Sequence, residues 1–104
     1  MWMAPAMPWF IKHETFIRPH SDLRDRIEAH RLWVAQLREQ GVRISSGYLI
    51  DAQGRPGGGG LLLLEARDHA SAEAIILGDP MVLSGGAEWR LEQWIGVVGD
   101  LDAI

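Results

Sequence analysis

The chain has 104 residues and a mass of 11.6 kDa, which is the length of one domain, and it is 47% hydrophobic and 23% charged. These fractions indicate a soluble globular domain and argue against a disordered chain. Ten basic and 14 acidic residues give a net charge of -4, which disfavours a nucleic-acid partner because phosphate binding needs a surplus of Lys and Arg. Cysteine is absent, which excludes disulfides, thiol catalysis and cysteine-ligated zinc.

The N-terminal segment lacks the features of a targeting signal. Its apolar stretch has no preceding basic region and is interrupted by Pro5 and Pro8. The sequence contains no run of about 18 apolar residues, so we expect no transmembrane helix and no membrane partner. We therefore expect one cytoplasmic domain over residues 1–104, with an N-terminal arm at 1–7 and a C-terminal tail at 99–104.

Alternation, helical periodicity and turn residues divide the chain into six elements. The predicted elements are strands at 9–17, 42–50, 61–65 and 87–98 and helices at 22–40 and 69–77. Ser21 or Asp22 can cap the first helix, and Asp68 can cap the second. Gly41 is a natural stop for the first helix.

The order β-α-β-β-α-β predicts an α+β domain with the ferredoxin-like arrangement. In that arrangement a four-stranded antiparallel sheet carries both helices on one face. The third strand contains four consecutive leucines, Leu61 to Leu64, so we expect it to be covered on both faces. Because a large exposed apolar face marks an interface, we predict a two-fold homodimer packed sheet against sheet. Trp94 on the last strand is a candidate contact.

The first predicted helix carries the most informative residue. Leu23, Ile27, His30, Val34 and Leu37 follow the spacing of a buried stripe. An imidazole in that stripe needs a partner, because burying a polar group without one costs roughly 1–3 kcal/mol. His30 is therefore either a packed core histidine or a functional residue, that is, a general acid/base or a ligand contact. The acid/base role suits histidine near neutral pH. Only the second interpretation predicts an adjoining cavity.

Asp79 is the second candidate. Its position before Pro80 and after the second predicted helix is typical of a turn. A carboxylate beside His30 would instead orient the imidazole and form a base–orienter pair. Contact between the two is possible because both predicted helices lie on the same face of the sheet.

Several short motifs extend over most of the chain: the pattern His30-x-x-Trp33-x-x-x-Leu37-x-x-x-Gly41, Arg26 upstream of it, the strand from Gly60 to Glu65, and Ala72-Glu73-Ala74 before Asp79-Pro80. Over residues 9–97 they resemble the YCII-related (YciI-like) family. That resemblance implies the dimeric α+β barrel fold and a histidine–aspartate pair, proposed to be catalytic, at His30 and Asp79. Some relatives are dehydrochlorinases of chlorinated hydroxyquinones. Tyr48 and Met81 depart from the family pattern, so no relative's substrate is carried over.

Four further residues are candidates for substrate binding: Arg26, His13, Trp33 and Tyr48. Arg26 lies one turn before His30 and can hold an anionic group. On the first strand, His13 and Glu14 point to opposite faces, so one of them can reach the His30 site. Trp33 is either a core residue or a ligand contact, and Tyr48 can line the pocket.

Other kinds of site have little support in the sequence. Residues 57–60 are all glycine, but a leucine-rich strand follows them rather than the Lys-Ser/Thr and helix of a phosphate loop. We therefore expect a hairpin loop there. No metal-ligand spacing such as H-x-x-x-H is present, so we expect no metal and no cofactor. No serine occupies a G-x-S-x-G elbow, which leaves serine hydrolysis without support.

Three hypotheses for the function remain. The first is a small cofactor-independent enzyme in which His30 moves a proton and Asp79 orients it, during elimination, isomerisation or hydrolysis of a small cyclic or aromatic acid. The second is a non-catalytic module that binds a small ligand, and the third is a structural dimer that serves a partner protein. A pocket beside His30 separates the first two from the third, and the effect of His30→Asn on turnover separates the first from the second.

Overall fold

The structure is a computed structural model that describes residues 7–101. It contains strands β1 (Trp9–Phe16), β2 (Ile44–Tyr48), β3 (Gly59–Glu65) and β4 (Ala87–Trp94), helices α1 (Arg24–Glu39), α2 (His69–Ile76) and α3 (Pro80–Leu83), and a 3-10 turn at His20–Leu23. Most of the predicted N-terminal arm and half of the predicted tail lie outside the described residues.

The four strands form one antiparallel sheet in the order β2-β3-β1-β4. This order and the element sequence confirm the predicted α+β, ferredoxin-like fold. The register places Glu14, Gly60 and Tyr48 in one row across three strands, and Lys12 and Ser46 in the next row on either side of a β3 leucine. Directly paired residues point to the same face, so both rows face the helices.

The hydrophobic core lies between the sheet and the helices. Its buried residues are Phe10, Ile44, Leu62, Leu64, Ala66, Ala72 and Ile76. Leu62 and Leu64 are 1% and 0% exposed, and burying a side chain of this size stabilises the fold by roughly 1.5–3 kcal/mol. Leu61 and Leu63 point to the opposite face and are only partly buried, so the helices cover one of the two faces of β3.

The start of the first helix differs from the prediction. A 3-10 turn leads into α1, Leu23 occupies the N-cap position, and no side chain there makes a capping hydrogen bond. A cap by Ser21 or Asp22 is therefore wrong. The backbone closes this turn through the Asp22 amide and the Pro19 carbonyl, while burial of the Leu23 side chain anchors the entry to the helix. Gly41 ends the helix with a φ of 91°, as predicted.

Strand lengths follow the available partners. β4 ends at Trp94, because its partner β1 begins at Trp9, and β2 spans only the residues that pair with β3. Both are shorter than predicted. Asp68 caps α2 by accepting a hydrogen bond from the Ser71 amide, as predicted. In residues 7–101 no helix is long and apolar enough to cross a membrane.

Candidate functional site

A cavity of about 510 Å³ lies between α1 and the β1–β3–β2 part of the sheet. Its volume is in the range of small-molecule sites. Ile27 and Val34 of α1, Phe16 of β1 and Met81 of α3 supply apolar surface. His30, which lies in the same helical stripe, also lines this cavity, so the helix turns its one polar stripe residue towards a space large enough for a ligand.

His30 is 8% exposed and is hydrogen-bonded through both ring nitrogens. Nδ1 lies 2.8 Å from Oδ1 of Asp79, and Nε2 lies 2.7 Å from Oγ of Ser46. An ionised carboxylate can only accept, so Nδ1 donates its proton to Asp79 and the neutral ring keeps a lone pair on Nε2. The Ser46 hydroxyl donates to that lone pair. Because Ser46 lines the cavity, the basic nitrogen lies on the cavity side of the ring.

Asp79 is held in place by its local backbone. Pro80 disfavours helical geometry at the residue before it, and Asp79 is extended with φ -67° and ψ 124°. Its side chain then folds forward to cap α3, accepting a hydrogen bond from the Met81 amide at 2.9 Å. The Asp-Pro pair thus forms the turn after α2 and orients the carboxylate towards His30.

Three donors surround the Asp79 carboxylate, which is 0% exposed. Oδ1 accepts from His30 and the Met81 amide, and Oδ2 accepts from Lys12 Nζ at 2.7 Å. Burial raises the pKa of Asp79 and is the largest single influence, but the hydrogen bond from His30 and the charge of Lys12 together hold that pKa below its ordinary value of 3.8. The carboxylate is therefore ionised at neutral pH and can stabilise an imidazolium at His30.

Lys12 is the single lysine of the chain, and its side chain is 0% exposed. Nζ lies between two carboxylates, 2.7 Å from Oδ2 of Asp79 and 3.2 Å from Oε2 of Glu14. Oε2 of Glu14 is enclosed but accepts no hydrogen bond from the described residues, so its contact with Lys12 is a charge contact. Lys12 was not among the site residues predicted from the sequence, although it shares a face of β1 with the core residue Phe10.

The structure brings some of the predicted site residues together. His30 and Asp79 are in direct contact, and Tyr48, which is 68% exposed, lines the cavity. The ring of Trp33 lies 5.6 Å from that of His30 at a tilt of 37°. Trp33 packs against the hydrophobic core rather than forming the cavity wall.

The other two predicted substrate-binding residues lie away from the cavity. Arg26 is an exposed residue of α1, whereas Arg31, one residue after His30, lines the cavity. On β1, the alternation points Glu14 towards the cavity and His13 towards the opposite face of the sheet. Within this chain, the cavity wall thus includes Arg31 rather than Arg26, and Glu14 rather than His13.

Ser46 is a site residue that no sequence motif indicated. Asp79, His30 and Ser46 form one continuous chain of hydrogen bonds, the connectivity of a Ser-His-Asp triad. Such a triad is defined by geometry rather than by sequence position. Ser46 lies on β2, and only the pairing of β2 with β3 places it below α1.

The model of the YCII-related domain matches residues 8–95. The chain belongs to the YCII-related family. This match confirms the resemblance seen in the sequence. No curated protein matches the chain.

Solved structures share the fold of this YCII-related chain at low sequence identity. The 5-chloro-2-hydroxyhydroquinone dehydrochlorinase from Burkholderia phenoliruptrix, in complex with 2,5-dihydroxybenzoquinone, has a TM-score of 0.67 and 20% identity, covering 83% of this chain and 92% of that chain. A dimeric ferredoxin-like protein from an uncultured marine organism has a TM-score of 0.54 and 21% identity, covering 89% and 99%. The designed protein Ferredog-Diesel has a TM-score of 0.56 and 14% identity, covering 88% and 90%. At these identities the likenesses establish the fold alone.

Proposed function

We propose that this YCII-related domain is a cofactor-independent enzyme that transfers a proton on a small cyclic or aromatic acid. His30 is the general base, and Asp79 positions it and stabilises its charged form. The observation that carries this proposal is the 2.8 Å contact between His30 Nδ1 and Asp79 Oδ1, made by a histidine that also lines a cavity of about 510 Å³. A merely packed histidine would not need that space.

The proposed reaction starts with neutral His30. Its Nε2 accepts a proton from an acidic C–H or O–H bond of the ligand, and the electron pair of that bond stays on the ligand. The ligand then expels a leaving group or shifts a double bond, and Nε2 returns its proton to the product or to solvent. Asp79 keeps its hydrogen bond with Nδ1 throughout, so the imidazolium forms next to a negative charge. Ser46 releases Nε2 when the ligand enters.

The similarity in fold to a dehydrochlorinase suggests the first substrate to test. In the reaction named for that neighbour, a base that takes a hydroxyl proton from the ring would help chloride to leave, and we propose that His30 acts as such a base. Arg31 and His20 also line the cavity and supply donors for the acidic group of a ligand.

The decisive experiment compares wild type with His30→Asn. Chloride release from 5-chloro-2-hydroxyhydroquinone and turnover of a panel of cyclic and aromatic acids are measured beside ligand affinity. Loss of a general base lowers the rate by about 10²- to 10⁴-fold, with affinity kept, and the matched control His69→Asn, at an exposed position, retains full activity. An active His30→Asn variant contradicts the proposal. A wild type that binds these acids but transforms none favours the alternative, a non-catalytic ligand-binding module.

A second candidate function is acyl transfer through Ser46. The 2.7 Å hydrogen bond between Ser46 Oγ and His30 Nε2 supports it, because His30 can take the hydroxyl proton while Oγ bonds to an acyl carbon and later give that proton to the leaving group. A fluorophosphonate probe tests this candidate: labelling of Ser46 that disappears in His30→Asn supports it. Absence of labelling in wild type excludes Ser46 as an activated nucleophile.

We also propose that the chain acts as a homodimer through the sheet face opposite the helices. Trp9, Ile11 and Leu63 lie on that face and are only partly buried, and Trp94, which pairs with Trp9, is 38% exposed. The marine ferredoxin-like neighbour is described as dimeric. Sedimentation at micromolar concentration should give twice the chain mass of 11.6 kDa. A species of 11.6 kDa contradicts the dimer.

A further inference from the structure

Glu14 is a buried carboxylate that proton transfer between His30 and Asp79 leaves unused. It is 7% exposed and lines the cavity. A buried carboxylate is stable when it is both paired and hydrogen-bonded. Lys12 supplies the opposite charge at 3.2 Å, but Oε2 accepts no hydrogen bond from the described residues. Oε2 therefore has charge compensation without the hydrogen bond that a buried carboxylate oxygen ordinarily receives.

The cavity lies beside this carboxylate, and the neighbouring sheet residue that also lines it is a glycine. Gly60 lies between Glu14 and Tyr48 in one row of the sheet, and the two outer residues of such a row are about 10 Å apart, twice the spacing of neighbouring strands. A Cβ atom on Gly60 would lie 3.2 Å from Oε1 of Glu14 and 2.8 Å from the carbonyl oxygen of Gly47. A side chain at position 60 would therefore press on Glu14 and on the β2 backbone, and its absence lets the Glu14 carboxylate extend over Gly60, where both residues line the cavity.

The charges around Glu14 indicate which ligand group fits that part of the cavity. Lys12 contributes one positive charge between the negative charges of Asp79 and Glu14, so the group carries an excess negative charge while His30 is neutral. Such a site repels an anionic oxygen and attracts a hydrogen-bond donor. The acidic part of a ligand must therefore point elsewhere, and Arg31 in the same cavity wall is the cationic side chain that can receive it.

We propose that Glu14 is a ligand-binding residue that accepts a hydrogen bond from a hydroxyl or N–H group on the ring of the substrate. The substrate class is then a cyclic acid that carries a ring hydroxyl or N–H in addition to its acidic group. This inference deepens the proposed function, because the same contact orients the ring towards His30. Recognition by Glu14 does not itself require turnover, so binding can test it separately.

The test measures the affinities of 3-hydroxybenzoate and 3-methoxybenzoate, which share the acid and differ in the ring donor. Wild type should bind the hydroxy acid at least about 10-fold more tightly, the effect of one hydrogen bond to a charged group. In Glu14→Met the preference should fall to within about 3-fold, because the acceptor is gone. The isosteric Glu14→Gln should also lower this preference, and it replaces Glu14→Met in the test if that variant does not fold. The control Glu39→Met, exposed at the end of α1 and outside the cavity wall, should keep the full preference.

Three results overturn the proposal: equal affinity of the two acids for wild type, a preference that survives in both Glu14 variants, and no binding of 3-hydroxybenzoate at millimolar concentration. The His30→Asn variant separates this inference from the proposed function. It should keep the preference for the hydroxy acid even though it has lost the base. A preserved preference together with unimpaired turnover in His30→Asn would refute the catalytic role and leave Glu14 as a binding residue.

Discussion

Replacing Lys12 with methionine should be the most destabilising single change at the site. The ammonium is 0% exposed and lies 2.7 Å from Asp79 and 3.2 Å from Glu14. Its removal leaves two buried carboxylates without their shared cation, and breaking a buried ion pair in this way costs about 3–5 kcal/mol. Domains of this size are stable by only about 5–15 kcal/mol, so Lys12→Met should lose a large share of the free energy of unfolding.

The two carboxylates should not share this loss equally. Asp79 keeps its hydrogen bonds from His30 and the Met81 amide, whereas Glu14 loses its contact with the ammonium. The double variant Lys12→Met/Glu14→Gln should therefore be more stable than Lys12→Met alone, with a coupling free energy of about 0.5–3 kcal/mol. Urea denaturation followed by tryptophan fluorescence gives each free energy, provided that the m-value stays constant.

A surface ion pair provides the control for Lys12. Arg43 lies 3.2 Å from Glu65 but its side chain is 69% exposed, so Arg43→Met should cost no more than about 1 kcal/mol. A Lys12→Met variant that costs as little as Arg43→Met would show that the buried ion pairs do not stabilise the fold. A double variant no more stable than Lys12→Met would show that Glu14 does not depend on this cation.

Three further predictions concern charge, chemistry and binding. The pKa of Asp79 in the folded protein lies below its ordinary value of 3.8. The stability that its ionised form contributes is therefore complete above that ordinary value and is lost as the pH falls through the folded pKa. Urea denaturation at several pH values should show a smaller loss of unfolding free energy on acidification for Asp79→Asn than for wild type, and parallel curves would contradict this. Ser46→Ala should keep proton-transfer activity within about 10-fold but abolish fluorophosphonate labelling, because only acyl transfer needs the hydroxyl. Arg31→Gln should weaken binding of 3-hydroxybenzoate about 3-fold, a typical effect for an exposed charge, and Arg26→Gln should not; the reverse order would place the acid at Arg26.

The fold follows closely from sequence patterns because each element carries its own periodicity. The stripe from Leu23 to Leu37 places His30 on the buried face of α1, and the Asp68 cap marks the start of α2. The ends of the strands depend instead on their partners. β4 stops at Trp94 where β1 begins, and no property of residues 95–98 alone signals that end.

The site was only partly predictable from the sequence, because part of it depends on how the strands pair. His30 and Asp79 stand out locally, one as a polar residue in an apolar stripe and the other before a proline. The roles of Lys12 and Ser46 arise from strand register, which places both in the row below α1. The choice between His13 and Glu14 likewise depends on whether the odd- or the even-numbered residues of β1 face the helices. The burial of Phe10 and Lys12 shows that the even-numbered residues do.

The tautomer of His30 provides the most direct test of the proposal that this residue is the general base, because proton abstraction needs an unprotonated Nε2. A long-range ¹H–¹⁵N correlation spectrum of the imidazoles, recorded where histidine is neutral, distinguishes the two ring nitrogens. We expect a protonated Nδ1, bonded to Asp79, and an unprotonated Nε2, with the Nδ1 proton signal lost in Asp79→Asn. A spectrum in which Nε2 carries the proton would rule out His30 as the base, since the nitrogen beside Ser46 could then accept no proton.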